Sequence, residues 1–379
     1  MPESYDAVVI GAGVFGSWTA YYLRNSGRSV ALLDAYGPAN SRASSGDESR
    51  VLRMGYGAEE IYTRWAWRAR QLWMDLFEAV DQPDLFQQTG VLQTPRPQDA
   101  RAESMRLTLE KCGVPYQLLT HADLEARFPQ FHFSTERMGI LELEAGALMA
   151  RRAVRAVVQE AVRNGVDYFR ETASVPENSQ LKTSSGEVLR AGLFVFACGP
   201  WLPKIFPGVL QDRIRPTRQE VFYFGVPAGD RRFSPPEMPV WLDFSSDLGA
   251  YSLPDFDGRG LKLAFDRHGP DFDPDTGDRL VGGLDEARSF LSERFPALAH
   301  APLAESRVCQ YENTSTGDFL IDRHPDDDGV WLVGGGSGHG FKHGPALGEY
   351  VTKLIDGAVA NEPRFSLETK TLEANRAVY

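Results

Sequence analysis

The apolar positions of the chain fall into short continuous runs and longer one-sided stripes, the patterns expected of buried strands and packed helices. The run Asp6-Ala7-Val8-Val9-Ile10 predicts a strand. Residues 17–25 predict a helix stopped by Ser26-Gly27, and Ser29-Val30-Ala31-Leu32-Leu33 predicts a second strand closing at Asp34. Residues 59–80 have helical spacing, with Ile61, Trp65, Leu72, Trp73, Leu76, Phe77 and Val80 on a broad apolar face; these tryptophans read as core. Another helix is expected over 148–163, ended by Asn164-Gly165, and strand-like pieces follow at 166–169, 180–183 and 193–197. The last is apolar throughout, as in a strand covered on both faces.

The texture changes over 216–266. The pieces 219–224, 240–244, 250–253 and 261–265 are short, rich in aromatic and β-branched residues, and separated by proline, glycine and aspartate, which predicts an antiparallel sheet. The chain then returns to a buried strand at 330–333, runs through Gly334-Gly335-Gly336-Ser337-Gly338-His339-Gly340-Phe341-Lys342, and enters a helix over 345–355. The fold class expected is α/β: a discontinuous Rossmann-like nucleotide domain over 1–82, 145–215 and 312–379. An α+β substrate domain built on an antiparallel sheet is inserted as 83–144 and 216–311.

Composition narrows the function. With 379 residues and 42% hydrophobic content, the chain can bury a sizeable core. A net charge of −12 argues against nucleic-acid binding, which needs a basic face. Three scattered cysteines (Cys112, Cys198, Cys309) fit a reducing compartment. No apolar run approaches membrane-spanning length. The start, Met1-Pro2-Glu3-Ser4-Tyr5-Asp6, does not read as a signal peptide, and Arg376-Ala377-Val378-Tyr379 carries no retention or peroxisomal tripeptide. The reading is a cytoplasmic, soluble protein. Only seven of its forty basic residues are lysines, so a lysine kept inside a glycine-rich motif merits notice, with drift as the bland alternative.

The first forty residues carry the clearest chemistry. Gly11-Ala12-Gly13-Val14-Phe15-Gly16 lies between the first strand and its helix, the dinucleotide fingerprint in its full context. Gly11 serves the tight turn, Gly13 the approach of backbone to a pyrophosphate, and Gly16 the packing of helix on strand. The helix N-terminus offers N–H groups to phosphate, and Asp34 a carboxylate to ribose hydroxyls. In the C-terminal loop, 334–340 bears so few side chains that a flat ring could lie on its backbone. The helix after it would then face the negative charge that develops on a reduced flavin.

These segments resemble the FAD-dependent amine oxidases typified by monomeric sarcosine oxidase and N-methyltryptophan oxidase, with the amadoriases as close relatives. Besides the fingerprint with Asp34-Ala35, the similarity rests on Gly46-Asp47-Glu48-Ser49-Arg50-Val51-Leu52-Arg53 with Tyr56-Gly57, and on Gly260-Leu261-Lys262-Leu263. It rests further on Val308-Cys309-Gln310-Tyr311 with Asp318-Phe319-Leu320-Ile321-Asp322, and on Ser337-Gly338-His339-Gly340-Phe341-Lys342. The resemblance implies FAD bonded covalently through Cys309, with the fingerprint residues, Ser45, Arg50, Val175, Gly199, Trp201 and 338–342 around the cofactor. It implies Arg53 and Lys342 as the grip on a substrate carboxylate, and Lys262 as the group that activates oxygen on the opposite flavin face. Arg50 packs beside the flavin, Tyr251 and Tyr311 line the substrate cavity, and His339 joins the site. For a lone cysteine, arginine or lysine, the ordinary readings are a buried small hydrophobe, a solvated face and a snorkelling side chain.

The implied reaction is oxidation of a secondary-amine α-amino acid with oxygen, giving imine and hydrogen peroxide, in a monomer that needs neither membrane nor nucleic acid. Two departures bear on the substrate. Sarcosine oxidases have a His-His pair at Ser45-Gly46 and a histidine at Asp266. The segments 44–48 and 319–325 look closer to amadoriases, which however usually have arginine at His339. His339 and His343 are four apart, a spacing zinc can use, but no third ligand is evident and no metal is expected. An amadoriase, a dehydrogenase subunit passing electrons to a partner protein, and an NAD-dependent or non-catalytic nucleotide-binding protein remain as alternatives. Lys262 argues against the dehydrogenase, and Cys309 and Lys342 lie outside what the last reading explains.

Overall fold

The computed structural model describes residues 4–244 and 248–371. Residues 1–3 and 376–379, on which the reading of the two ends partly rests, lie outside this range. A six-stranded sheet runs in the spatial order Leu320–His324, Asp327–Gly334, Phe194–Phe196, Ala7–Ile10, Val30–Leu33, Asp167–Phe169. Every neighbouring pair is parallel except the first, an antiparallel hairpin. Ala7–Ile10 and Val30–Leu33 are buried along their whole length, as expected of continuous apolar runs covered on both faces. The helices Val14–Asn25, Ala150–Arg163 and Gly344–Ile355 pack on this side, with Val14–Asn25 against both of the others. Glu60–Ala79 lies against Gly344–Ile355 and buries Trp73 completely.

A second sheet of eight strands has the order Leu303–Thr314, Ile214–Phe224, Leu261–Phe265, Ala250–Leu253, Val240–Asp243, Val91–Gln93, Gly139–Glu142, Tyr116–Leu119. It is mixed rather than purely antiparallel, because Val240–Asp243 pairs with Val91–Gln93 in parallel. The two strands come from distant stretches of chain, so no hairpin constrains their direction. The sheet's own core includes Trp241, Phe233 and Phe295. Its long pair, Ile214–Phe224 with Leu303–Thr314, exchanges bonds from Ile214/Thr314 to Phe224/Leu303 and carries Cys309 and Tyr311 toward the first sheet. No helix among the described residues is long and apolar enough to cross a membrane.

Candidate active site

The fingerprint builds the wall of a cavity of about 370 Å³. Gly11 has φ 102°, and a Cβ there would stand 2.4 Å from the carbonyl oxygen of Ala197. Gly16 closes on Gly11 itself, where a Cβ would come within 1.8 Å of the Gly11 carbonyl oxygen. Gly13, Val14 and Phe15 line the cavity, while Ala12 is packed beneath it and donates its N–H to Asp34 Oδ2 at 2.8 Å. Asp34 Oδ1 accepts from the N–H groups of Tyr36 and Gly37 at 2.9 and 2.7 Å. Burial nevertheless pushes the Asp34 carboxyl up, these bonds notwithstanding. Ser45 accepts the N–H of Val14 at 3.1 Å.

The far wall comes from the middle and C-terminal segments. Ala35, Gly199 and Trp201 face the cavity, as do Gly338, Gly340 and Phe341. Phe341 stacks on Trp73 at 5.9 Å between ring centroids, and Trp73 Nε1 donates to the Lys342 carbonyl at 3.0 Å. A core tryptophan thus fixes the loop. Val175, expected at the cofactor, is instead 41% exposed and does not line the cavity; the segment that reaches it is Glu171, Thr172 and Ala173. The residues fit FAD. Three buried polar atoms on lining residues, Ser44 Oγ, Gln310 Oε1 and Glu312 Oε2, have no protein partner, as expected of a wall meant for a polar ligand.

A smaller cavity of about 70 Å³ adjoins the first and shares Arg50, Tyr311, Gly338 and Phe341 with it. Arg53, Lys342, His339, Tyr251, Lys262 and Cys309 all border it. Lys342, 5% exposed, donates from Nζ to Tyr56 Oη and to the His339 carbonyl, both at 2.8 Å. Burial and the Arg53 charge lower its pKa far below the lysine range, against the pull of Asp266 and Glu142. Arg53 donates to the Gly55 carbonyl and lies over the Tyr56 ring at 4.3 Å. The Tyr311 hydroxyl donates to Asp266 Oδ1 at 2.9 Å.

Asp47 organises the opposite edge. It accepts from Lys262 Nζ at 2.6 Å and from the Tyr223 hydroxyl at 2.9 Å, and pairs with Arg50. Lys262 is 1% exposed in the interior of the sheet, which excludes a snorkelling role, and donates also to the Ser49 carbonyl at 2.7 Å. Arg50 Nη2 donates to Cys309 Sγ at 3.3 Å, setting a cation against the sulfur, the surroundings in which cysteines do covalent chemistry. The His339 ring stacks on Phe319 at 4.9 Å, and Tyr56 Oη lies 3.3 Å from His339 Nδ1 and 2.8 Å from His343 Nε2. The histidine pair is thus tied together by a tyrosine. Asp47 and Tyr56 carried no assigned role from sequence, although both fall in the quoted blocks; a carboxylate amid arginines was the available signal.

A match to the FAD dependent oxidoreductase family runs over residues 6–354. The human peroxisomal sarcosine oxidase is 30% identical over 366 residues, covering 93% of this chain and 92% of that protein. The monomeric sarcosine oxidase of Bacillus sp. (strain B-0618) is 30% identical over 367 residues, with 93% of each covered. Among solved structures, L-proline dehydrogenase from P. horikoshii superposes with a TM-score of 0.83 at 23% identity, covering 97% of this chain and 98% of that one. Amadoriase I from Aspergillus fumigatus (a Ser67Cys/Pro121Cys mutant, in that protein's numbering) gives 0.79 at 20%, covering 97% and 90%. With a glycine cradle suited to FAD and homology along nearly its whole length, the chain belongs to the FAD dependent oxidoreductase family and is a homologue of the sarcosine oxidases.

Proposed function

We propose that the protein is an oxidase of secondary amines on α-amino acids, yielding an imine that hydrolyses to aldehyde and amine, with oxygen reduced to hydrogen peroxide. The observation that carries this reading is the pair of buried basic side chains, Arg53 and Lys342, on one small cavity. Among the described residues neither has an acidic partner within ion-pair distance. An uncompensated buried charge on Arg53 is costly, and burial together with that charge holds Lys342 far below the lysine range. A substrate carboxylate would offset the Arg53 charge and favour the ammonium form of Lys342, and arginine's planar fork would fix its orientation.

FAD, when bound, supplies the acceptor for the two electrons that leave the amine, and passes them to oxygen. The protein's part is to bind, orient and charge the site. Arg53 and Lys342 hold the carboxylate, Tyr251 and Tyr311 wall the amine in, and Phe244 and Phe265 add apolar surface that limits water. Lys262, held by Asp47, keeps a positive charge where oxygen is reduced, and His339 contributes its backbone carbonyl to Lys342. Cys309, with Arg50 at its sulfur, is the proposed covalent anchor. The six-stranded sheet and the eight-stranded sheet would serve as cofactor and substrate domains with the boundaries expected from sequence. Three free cysteines and a monomeric relative support a cytoplasmic monomer.

A glycated amino acid is the second reading. Asp266, 7% exposed, borders the same cavity and could accept from a hydroxylated substituent. Oxygen uptake and peroxide release with sarcosine, longer N-alkyl amino acids and fructosyl-glycine separate the two. Turnover of none of them would remove both.

A further inference from the structure

The larger cavity also holds a carboxyl group with no role in the proposed reaction. Glu312 sits on Leu303–Thr314, is 7% exposed and faces the cavity that fits FAD. Its Oε1 accepts the N–H of Gly336 at 3.1 Å, and its carbonyl accepts the N–H of Ser337 at 3.1 Å. The glycine loop is thereby tied to this residue at two points. Its other oxygen, Oε2, is buried without a partner. That atom stands beside Gly199 of the cavity wall, where an added Cβ would lie 3.4 Å from it.

Burial pushes the Glu312 carboxyl up to about 7, against the N–H groups of Gly336 and Gly335. Its titratable neighbours are acidic: the Cys198 thiol feels both Glu312 and Asp34, and Tyr311 precedes it on the strand. No arginine or lysine forms an ion pair with it among the described residues. Leaving such a buried group unsatisfied is costly. An ionised carboxylate here would also repel the phosphates of a dinucleotide, whereas a protonated one has an O–H to give.

We propose that Glu312 is a cofactor-binding residue which, as a carboxylic acid held by Gly336, donates a hydrogen bond through Oε2 to an acceptor on bound FAD. This rests on the FAD-dependent reading, and the test separates the two. Apoprotein is prepared by riboflavin-limited expression in a Cys309→Ser background, so that binding stays reversible, and is titrated with FAD. Glu312→Leu removes the orphaned oxygen but also the acceptor of the Gly336 N–H, so the thermal midpoint of the apoprotein should stay near the parental value. Its FAD affinity should fall at least about tenfold, the worth of one hydrogen bond. Glu312→Gln, which keeps a donor, should bind within about threefold of the parent and clearly tighter than Glu312→Leu. A Glu312→Leu protein with a lowered apoprotein midpoint and parental FAD affinity would make Glu312 a structural brace and overturn the proposal. A Glu312→Gln protein weakened as much as Glu312→Leu would overturn the donor role. A parent that took up no FAD would instead sink the cofactor reading itself.

Discussion

Lys262 Nζ lies 2.6 Å from Asp47 Oδ2, and both side chains are almost wholly shielded from solvent. Burial opposes the charge on Asp47, but Lys262 and Arg50 overcome it and hold the carboxyl well below its usual range. Burial pushes Lys262 down to about 8, Asp47 pulling it back up and Arg50 adding to the fall. The lysine therefore carries its charge at neutral pH and loses it as pH rises through about 8.

If that charge assists oxygen, Lys262→Met should slow reoxidation of the reduced protein by about 10²–10³-fold, the usual worth of a preorganised charge-stabilising group. Anaerobic reduction by substrate should change far less. Stopped-flow measurement of both half-reactions checks this; a variant slowed mainly in anaerobic reduction would move Lys262 to the substrate side.

The same pair sets a pH dependence. The reoxidation rate should decline as pH rises through about 8, following deprotonation of Lys262. In Lys262→Met that step should vanish. A step that persists unchanged in the variant would assign the titration to another group.

Arg53→Ala and Lys342→Ala each remove one of the two buried basic groups that border the smaller cavity. Truncating one member of a desolvated charge contact costs about 2–5 kcal/mol, so affinity for carboxylate inhibitors should drop and KM rise steeply in both. Inhibitor titration against the flavin spectrum reads this directly, and wild-type affinity in either variant would strip that residue of its role.

Cys309→Ser should release the chromophore. Acid precipitation of the wild-type protein is expected to leave yellow colour in the pellet, and of the variant to leave it in the supernatant. Free FAD from the wild type would contradict the covalent bond.

Gly11→Ala probes the cradle. The added Cβ meets the Ala197 backbone at 2.4 Å, at a φ that disfavours it. FAD per chain should fall sharply, and an unchanged stoichiometry would show that the turn can open without cost.

The nucleotide half was readable because its signals are local. Ala7–Ile10 and Val30–Leu33 are uniformly apolar, and a glycine loop between strand and helix has few other uses. The helix begins at Val14 rather than at residue 17, since Gly13 takes the extended N-cap conformation. The eight-stranded sheet was less legible. Ile214–Phe224 starts five residues before the expected strand because Arg215 and Pro216 interrupt its apolar pattern. Its partner Leu303–Thr314 does not read as a strand, because Arg307 and Asn313, together with Gln310 and Glu312 of the larger cavity, break the alternation. The bond between Lys262 and Asp47 spans 215 positions, and no spacing rule reaches that far.

Oxidation of a secondary-amine α-amino acid is tested by an anaerobic titration of the purified holoprotein with sarcosine and longer N-alkyl α-amino acids, followed by admission of air. The long-wavelength flavin band should bleach with at least one of them, return with oxygen, and leave one hydrogen peroxide per reoxidised flavin. A flavin that stays oxidised with every carboxylate-bearing secondary amine, or that bleaches but does not recover in air, would contradict the oxidase reading.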